Sequence, residues 1–399
     1  MKTLTLHKPA FSKRCDSLPS SFIRDILKVT NQKEVISFAG GLPDAQLFPF
    51  ESLEESTKAV FQNYGPKILQ YSESEGLKSL RMWICDFYES RYNMEVKPEQ
   101  VLITNGSQQA LDLIGKAFID AQDQIVLEQP SYLGAIQAFM VYEPEILPVA
   151  IGRSGMELDC LKELLRVHAP KLLYLVSNFQ NPTGYTLSLE KRERLACLAE
   201  EYSFIIVEDD PYGMLRYEGS DLPPMRYFTS QSILCGSFSK IMAPGFRLGW
   251  IVAEEAIIQK LLILKQASDL HSNNLSQYIA DHYLRHYNLE EHIDKLKHHY
   301  GQKCQVMYTA FKDALPSTCK VNKSEGGMFL WIELPEYMDA EMLLRETMLQ
   351  NVIFVPGKYF FTNGKGHNTL RVNFTNSTES AIHQGVSIIA NAVKKLLID

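Results

Sequence analysis

The sequence predicts an α/β fold: a large domain with a mostly parallel sheet flanked by helices, and a smaller α/β domain toward the C-terminus. Three observations carry that expectation. Between about 100 and 255, short apolar runs alternate with segments of helical period, the pattern of strands joined through helices in a parallel sheet. Most of these runs are continuously apolar, as strands covered on both faces are. The chain has 399 residues, 45% of them apolar, enough for one large core and one smaller one.

In order, VLIT (101–104) reads as a strand and GSQQALDLIGKAFID (106–120) as the helix behind it; IVLE (125–128) is the next strand. LLYLV (172–176) leads through the helical LEKRERLACLAEEY (189–202) to FIIVEDD (204–210), SILCGS (232–237) and GWIVA (249–253). From about 257 to 315 the chain reads as long helices. The runs MFLWIEL (328–334), VIFV (352–355) and LRVNF (370–374) and a helix near 377–397 complete the smaller domain.

Bulk properties exclude several functions. The formal charge is −7 and no dense Lys/Arg stripe interleaved with aromatics occurs, which argues against nucleic acid as a partner. The seven cysteines are scattered, without a CxxC pair; neither a disulfide framework nor a thiolate zinc site is expected, and a reducing cytoplasm fits. No apolar signal region or membrane-length run is present, so no membrane association is expected. His282, His286, His298 and His299 come without a carboxylate motif such as HExxH, and exposed helix faces rather than a metal site are expected for them.

In sheets of this kind ligands collect beyond the carboxyl ends of the strands. After VLIT, Asn105-Gly106-Ser107-Gln108 opens a helix; this is either an anion site at a helix start or a plain N-cap. After LLYLV comes SNFQNPTG (177–184), by itself no more than a turn. The run Glu208-Asp209-Asp210 either holds a metal or is solvated. The stretch GSFSKIMAPGFRLGW (236–250) decides among these readings. There Lys240, with Ser237, Ser239 and Arg247, joins an amine to donors suited to a phosphate monoester. A lysine beside a phosphate cradle suggests a Schiff base with pyridoxal phosphate, which also needs a carboxylate for its ring nitrogen and donors for its phenolic oxygen.

At these positions the chain resembles the fold type I, class I/II aminotransferases. The pattern S-x-S-K-x-x-x-P-G-x-R-x-G matches at seven fixed positions. Further matches follow in family order: AGGLPDAQLFP (39–49), LQYSESEG (69–76), NGSQQALD (105–112), EQPSY (128–132), QNPTG (180–184), DDPY (209–212), GGMFLW (326–331) and Arg371 in LRVNF. Through IRDILKVT…ISFAGGLP and LQYS it is most similar to the α-aminoadipate/kynurenine aminotransferase subgroup.

The resemblance implies an N-terminal substrate-covering arm at 1–45, a large cofactor-binding domain at 46–290 and a small domain at 291–399. It makes Lys240 the Schiff-base lysine and Asp209 the partner of the ring nitrogen. Asn181 and Tyr212 would bond the phenolic oxygen, and Tyr132 would stack on the ring. Ser107, Gln108, Ser237, Ser239 and Arg247 would hold the phosphate, with Tyr71 reaching the phosphate of the other subunit of a homodimer. Arg371, Asn181 and the backbone near Gly41 would take the substrate carboxylate, with Arg24 near its side chain. The activity implied is transfer of an amino group from an amino acid to a 2-oxo acid. Alternatives on the same residues are a β-lyase and a regulatory binding protein. A regulator needs some 70 residues of winged helix ahead of AGGLP, where about 38 stand; a dead binding protein would be expected to lack Lys240 or Asp209.

Overall fold

The computed structural model describes residues 11, 12, 14, 15 and 35–398. Arg24, with most of the expected N-terminal arm, lies outside the described residues. Strand β1 (Ile36–Ser37) and helices α1 (Phe50–Tyr64) and α2 (Lys78–Tyr92) precede β2 (Val101–Thr104). Then come α3 (Ser107–Phe118), β3 (Gln124–Gln129), α4 (Leu133–Met140), β4 (Glu145–Gly152), β5 (Gly155–Met156), α5 (Leu158–Leu165) and β6 (Leu172–Leu175). The run continues with α6 (Leu189–Tyr202), β7 (Ile205–Asp209), α7 (Met225–Phe228), β8 (Ser232–Ser237) and β9 (Gly249–Val252).

These strands form one eight-stranded sheet in the order β2-β9-β8-β7-β6-β3-β4-β5. Pairing is parallel from β8 through β7, β6 and β3 to β4, while β9 runs against both its neighbours. β2, β6, β8 and β9 are buried at every position, which is why their sequences are unbroken apolar runs. β4, EILPVAIG, alternates between exposed and buried positions and contains Pro148. It is a half-covered strand near the sheet edge, and Pro148 interrupts its apolar run.

Helices α8 (Glu255–Asp269), α9 (Asn274–His286) and α10 (Leu289–Ala314) lead to β10 (Lys320–Val321) and β11 (Phe329–Glu333). α11 (Ala340–Met348), β12 (Val352–Ile353), β13 (Val355–Pro356), β14 (Thr369–Asn373) and α12 (Glu379–Ile398) close the chain. β10, β11, β14 and β13 make a second, antiparallel sheet. Asn273 and Asn288 cap α9 and α10 by accepting from Ser276 N (2.8 Å) and Glu291 N (3.3 Å). β1 pairs with β12, and Phe38 O accepts from Asn373 N (2.8 Å). That pairing carries Ala39 and Gly41 over the end of the large sheet.

A buried polar layer fixes the strand tails. Arg192 of α6, with no exposed surface, donates to Leu187 O (3.0 Å), Ser177 O (3.1 Å) and Asn178 Oδ1 (2.8 Å), and lies 3.7 Å from Glu208. A buried guanidinium is tolerated only when its donors are matched in this way. Its consequence is a defined path for the chain after β6. No described helix is long and apolar enough to cross a membrane.

Candidate active site

The carboxyl ends of β2, β3, β6, β7 and β8 open on a cavity of about 430 Å³. Ser107 and Gln108 line it after β2, Tyr132 after β3, and Asn181 after β6. Asp209 and Tyr212 come from the end of β7, and Ser237, Ser239, Lys240 and Arg247 from β8 onward. Gly41 and, from β14, Arg371 complete it. Residues up to 330 positions apart thus meet because each ends a strand of the sheet or packs on it. Tyr71 does not line the cavity; its side chain is 78% exposed.

Lys240 donates to Gly41 O (2.9 Å). Burial, with the charges of Arg247 and Arg371, lowers its ammonium to about 8, so the free amine is accessible near neutral pH. Asp209 is 1% exposed, and burial pushes its carboxyl up to about 7 although Tyr174 donates a hydrogen bond to Oδ2 (3.1 Å). Its Oδ1 is buried without a partner. A lone carboxylate oxygen facing a cavity is satisfied by a cationic N–H donor arriving there. A protonated pyridine nitrogen is such a donor, so the pocket fits the cofactor that the lysine implies.

Arg371 is 3% exposed, yet no carboxylate pairs with it among the described residues. It donates to Asn181 Oδ1 (2.7 Å) and Ala39 O (2.6 Å), while its Nε is buried without a partner. Its guanidinium lies 4.2 Å from the ring centroid of Phe329 and 5.1 Å from that of Phe360, where the ring faces stabilise the cation. Burial still lowers its pKa to about 10. Such a cation suits an incoming carboxylate. Tyr212, whose phenol burial raises, packs edge-on against Phe329 at 6.1 Å.

At the opposite wall, Gly106 starts α3 with φ +78°, and no side-chain hydrogen bond caps the helix. A Cβ at Gly106 would meet Arg247 Nη2 at 2.9 Å; the glycine allows backbone and guanidinium to approach. Arg247, itself left-handed at φ +52°, donates to Asn105 O (3.3 Å). Ser237 Oγ accepts from Ser239 N (3.1 Å). Uncapped helix N–H groups, serine hydroxyls and a guanidinium form a set suited to a phosphate. Of the two readings of Asn105–Gln108, the plain N-cap does not hold.

The solvated reading of Glu208-Asp209-Asp210 is also corrected. Glu208 and Asp209 are 0% and 1% exposed and Asp210 is half-buried; Glu208 accepts from Ser177 Oγ and from Met225 N (2.7 Å), and Asp210 Oδ1 from Asn178 Nδ2 (3.0 Å), and of the three only Asp209 lines the cavity. Among the four histidines, His286 and His298 are exposed as expected, whereas His282 and His299 are half-buried. The buried Cys235 sits in β8 as a core residue. Sequence reasoning missed Phe329 and Phe360 beside Arg371, and Glu128, which is 3% exposed and accepts from Val176 N (3.0 Å) and Gln180 Nε2 (3.2 Å). Phe329 and Glu128 stand inside motifs already singled out, GGMFLW and EQPSY, and Phe360 stands outside them. An apolar ring or buried acid carries no local mark of such a role.

Residues 33–389 match the family model for aminotransferase class I and II. The chain is 41% identical over 392 residues to aromatic-amino-acid aminotransferase 1 of Thermococcus litoralis, covering 96% of this chain and 94% of that one. A kynurenine aminotransferase from Pyrococcus horikoshii, solved in complex with PMP, superposes with a TM-score of 0.93 at 38% identity, over 97% of both chains. An α-aminoadipate aminotransferase from Thermus thermophilus, complexed with N-(5'-phosphopyridoxyl)-L-leucine, gives 0.91 at 39% identity, over 97% of this chain and 98% of that one.

Proposed function

The chain belongs to the class I and II aminotransferases, enzymes that use pyridoxal 5'-phosphate, and from that premise we propose that the cavity at the strand ends is its cofactor and substrate site. The observation that carries the assignment is the pairing, in one cavity, of an amine lowered to about 8 with a buried carboxylate oxygen that lacks a partner.

In this reading Lys240 would hold the cofactor at its aldehyde, Asp209 would hold the ring nitrogen, and Asn181 and Tyr212 would bond the phenolic oxygen. Tyr132 stacks on the ring, and Ser107, Gln108, Ser237, Ser239 and Arg247 hold the phosphate. Bound there, pyridoxal phosphate supplies a carbonyl that exchanges between amines and a ring that accepts the electrons released when Cα loses a proton. Arg371 binds the substrate α-carboxylate through its fork of donors, with Asn181 and the Gly41 backbone alongside. Displaced by the substrate amine, Lys240 Nζ would take the proton from Cα and deliver it on the cofactor side; a base near neutrality is suited to both the taking and the giving. Asp209 stays ionised once a cation neutralises it, since charge pairing outweighs its burial.

The amino donors we propose are aromatic, 2-aminoadipate-like and long aliphatic amino acids, with 2-oxoglutarate as acceptor; the names of the relatives above support this range. Arg24, outside the described residues, would have to meet the carboxylate of one substrate and withdraw from the apolar side chain of another, because an unpaired cation in a desolvated pocket costs several kcal/mol. We further propose a homodimer in which Tyr71 serves the partner's phosphate. The exposed apolar side chains Phe50, Phe61, Leu69 and Tyr71 support it, as they belong to α1 and the segment after it, which pack together. The large eight-stranded and the smaller four-stranded sheet support domains at 46–290 and 291–399 behind an arm at 1–45, whose Ile36–Ser37 strand pairs with β12 of the small domain. A cytoplasmic location is supported by seven cysteines that form no disulfide.

The test is a half-reaction screen: the purified holoenzyme is mixed with a panel of amino acids, and the cofactor absorbance and the 2-oxo acid released are followed. Stoichiometric 2-oxo acid with a shift to the aminated cofactor is expected for aromatic and aminoadipate-like donors. Free ammonia with an unshifted cofactor band would mark a lyase instead. In the same screen Arg24→Ala should raise KM for 2-aminoadipate and leave an apolar donor unchanged; equal losses would remove Arg24 from the site.

A further inference from the structure

We propose that Asp269, the last residue of α8, is a positioning residue for the phosphate cradle, holding the start of α3 from outside. The proposal rests on the reading of Ser107, Gln108, Ser237, Ser239 and Arg247 as that cradle. α3 follows Gly106, its N-cap position, without a side-chain cap. Its N–H groups and the Ser107 hydroxyl are therefore not consumed by the helix, but the entry of the chain lacks the usual fastening.

The fastening comes from another element. Asp269 Oδ2 accepts from Asn105 Nδ2 and from Gln109 Nε2 (2.5 Å), and Oδ1 accepts from Lys265 Nζ (2.9 Å). Gln109 Oε1 in turn accepts from Asn105 N (2.8 Å) and Lys265 Nζ (3.4 Å), closing the group into one network. Asn105 and Gln109 flank Ser107 and Gln108 on either side. The carbonyl of Asn105 accepts from Arg247 Nη2 (3.3 Å), so fixing Asn105 also fixes the guanidinium of the cradle. Lys265, with no exposed surface, neutralises Asp269. The carboxylate can then sit behind an anion site without repelling the anion, and its charge-assisted bonds are of the strong kind.

The inference separates binding through the phosphate from binding through the ring. Dissociation constants of pyridoxal 5'-phosphate and of pyridoxal, which lacks the phosphate, are measured by titrating the apoenzyme of the parent, of Asp269→Ala and of an Asn105→Ala/Gln109→Ala double variant. Thermal unfolding of each apoenzyme is recorded alongside. In both variants the affinity for the phosphate ester should fall about 10- to 100-fold, while affinity for pyridoxal stays unchanged. The double variant keeps the ion pair between Asp269 and the buried Lys265 and decides the matter if Asp269→Ala does not fold. Equal losses for both ligands, no loss, or tighter phosphate binding from the unmasked Lys265 charge would each overturn the proposal. Arg247→Ala serves as the reference: if it spares phosphate discrimination the cradle reading itself fails, whereas if it alone abolishes discrimination only the role of Asp269 falls.

Discussion

Lys240 shows how far one side chain is set by its surroundings. An exposed lysine at pH 7 is less than about one part in a thousand free base, while one titrating near 8 is about a tenth free. The shift here comes first from burial and then from two neighbouring guanidinium groups. Because the folded value lies below that of the unfolded chain, the apoprotein gains stability from this group as pH rises from about 8 toward 10.5. The rate at which the apoenzyme captures pyridoxal phosphate should rise with pH about a midpoint near 8; a midpoint above 10 would mean that Lys240 is not buried among those cations. The lysine, its serines and Arg247 were legible in the sequence because they sit at fixed spacing in one segment. Phe329, Phe360 and Tyr174 were not, since what they do depends on strands hundreds of residues apart coming together.

Elements place these side chains, and the strand ends do most of it. The sheet was readable wherever both faces are buried, because continuous apolar runs leave few alternatives. It was missed at β4, whose alternating exposure and Pro148 hide it, and the reversed direction of β9 depends on hydrogen-bond pairing that no local pattern records. The start of α3 gives the sharpest test at this scale. Gly106→Ala forces a left-handed residue to carry a Cβ that lies 2.9 Å from the Arg247 guanidinium. A stability loss of about 1–2 kcal/mol and weaker binding of the phosphate ester are expected in unfolding and titration experiments. Unchanged cofactor affinity would show that the close approach of Gly106 and Arg247 has no part in holding the phosphate.

For the whole molecule, the site is assembled from both sheets: Arg371 comes from β14 of the small one, and Lys240 and Asp209 from the large one. Tyr71, exposed and outside the cavity, would meet a phosphate only if a second copy brings one to it. Light scattering should therefore find the active species at about twice the 45.5 kDa chain mass, and an active monomer would remove Tyr71 from the mechanism. The central claim, that one lysine at the end of β8 joins this fold to its cofactor, is tested most directly by borohydride reduction of the holoenzyme followed by peptide mass spectrometry. The account predicts a single phosphopyridoxyl adduct, on Lys240; an adduct on any other residue, or none, would contradict it.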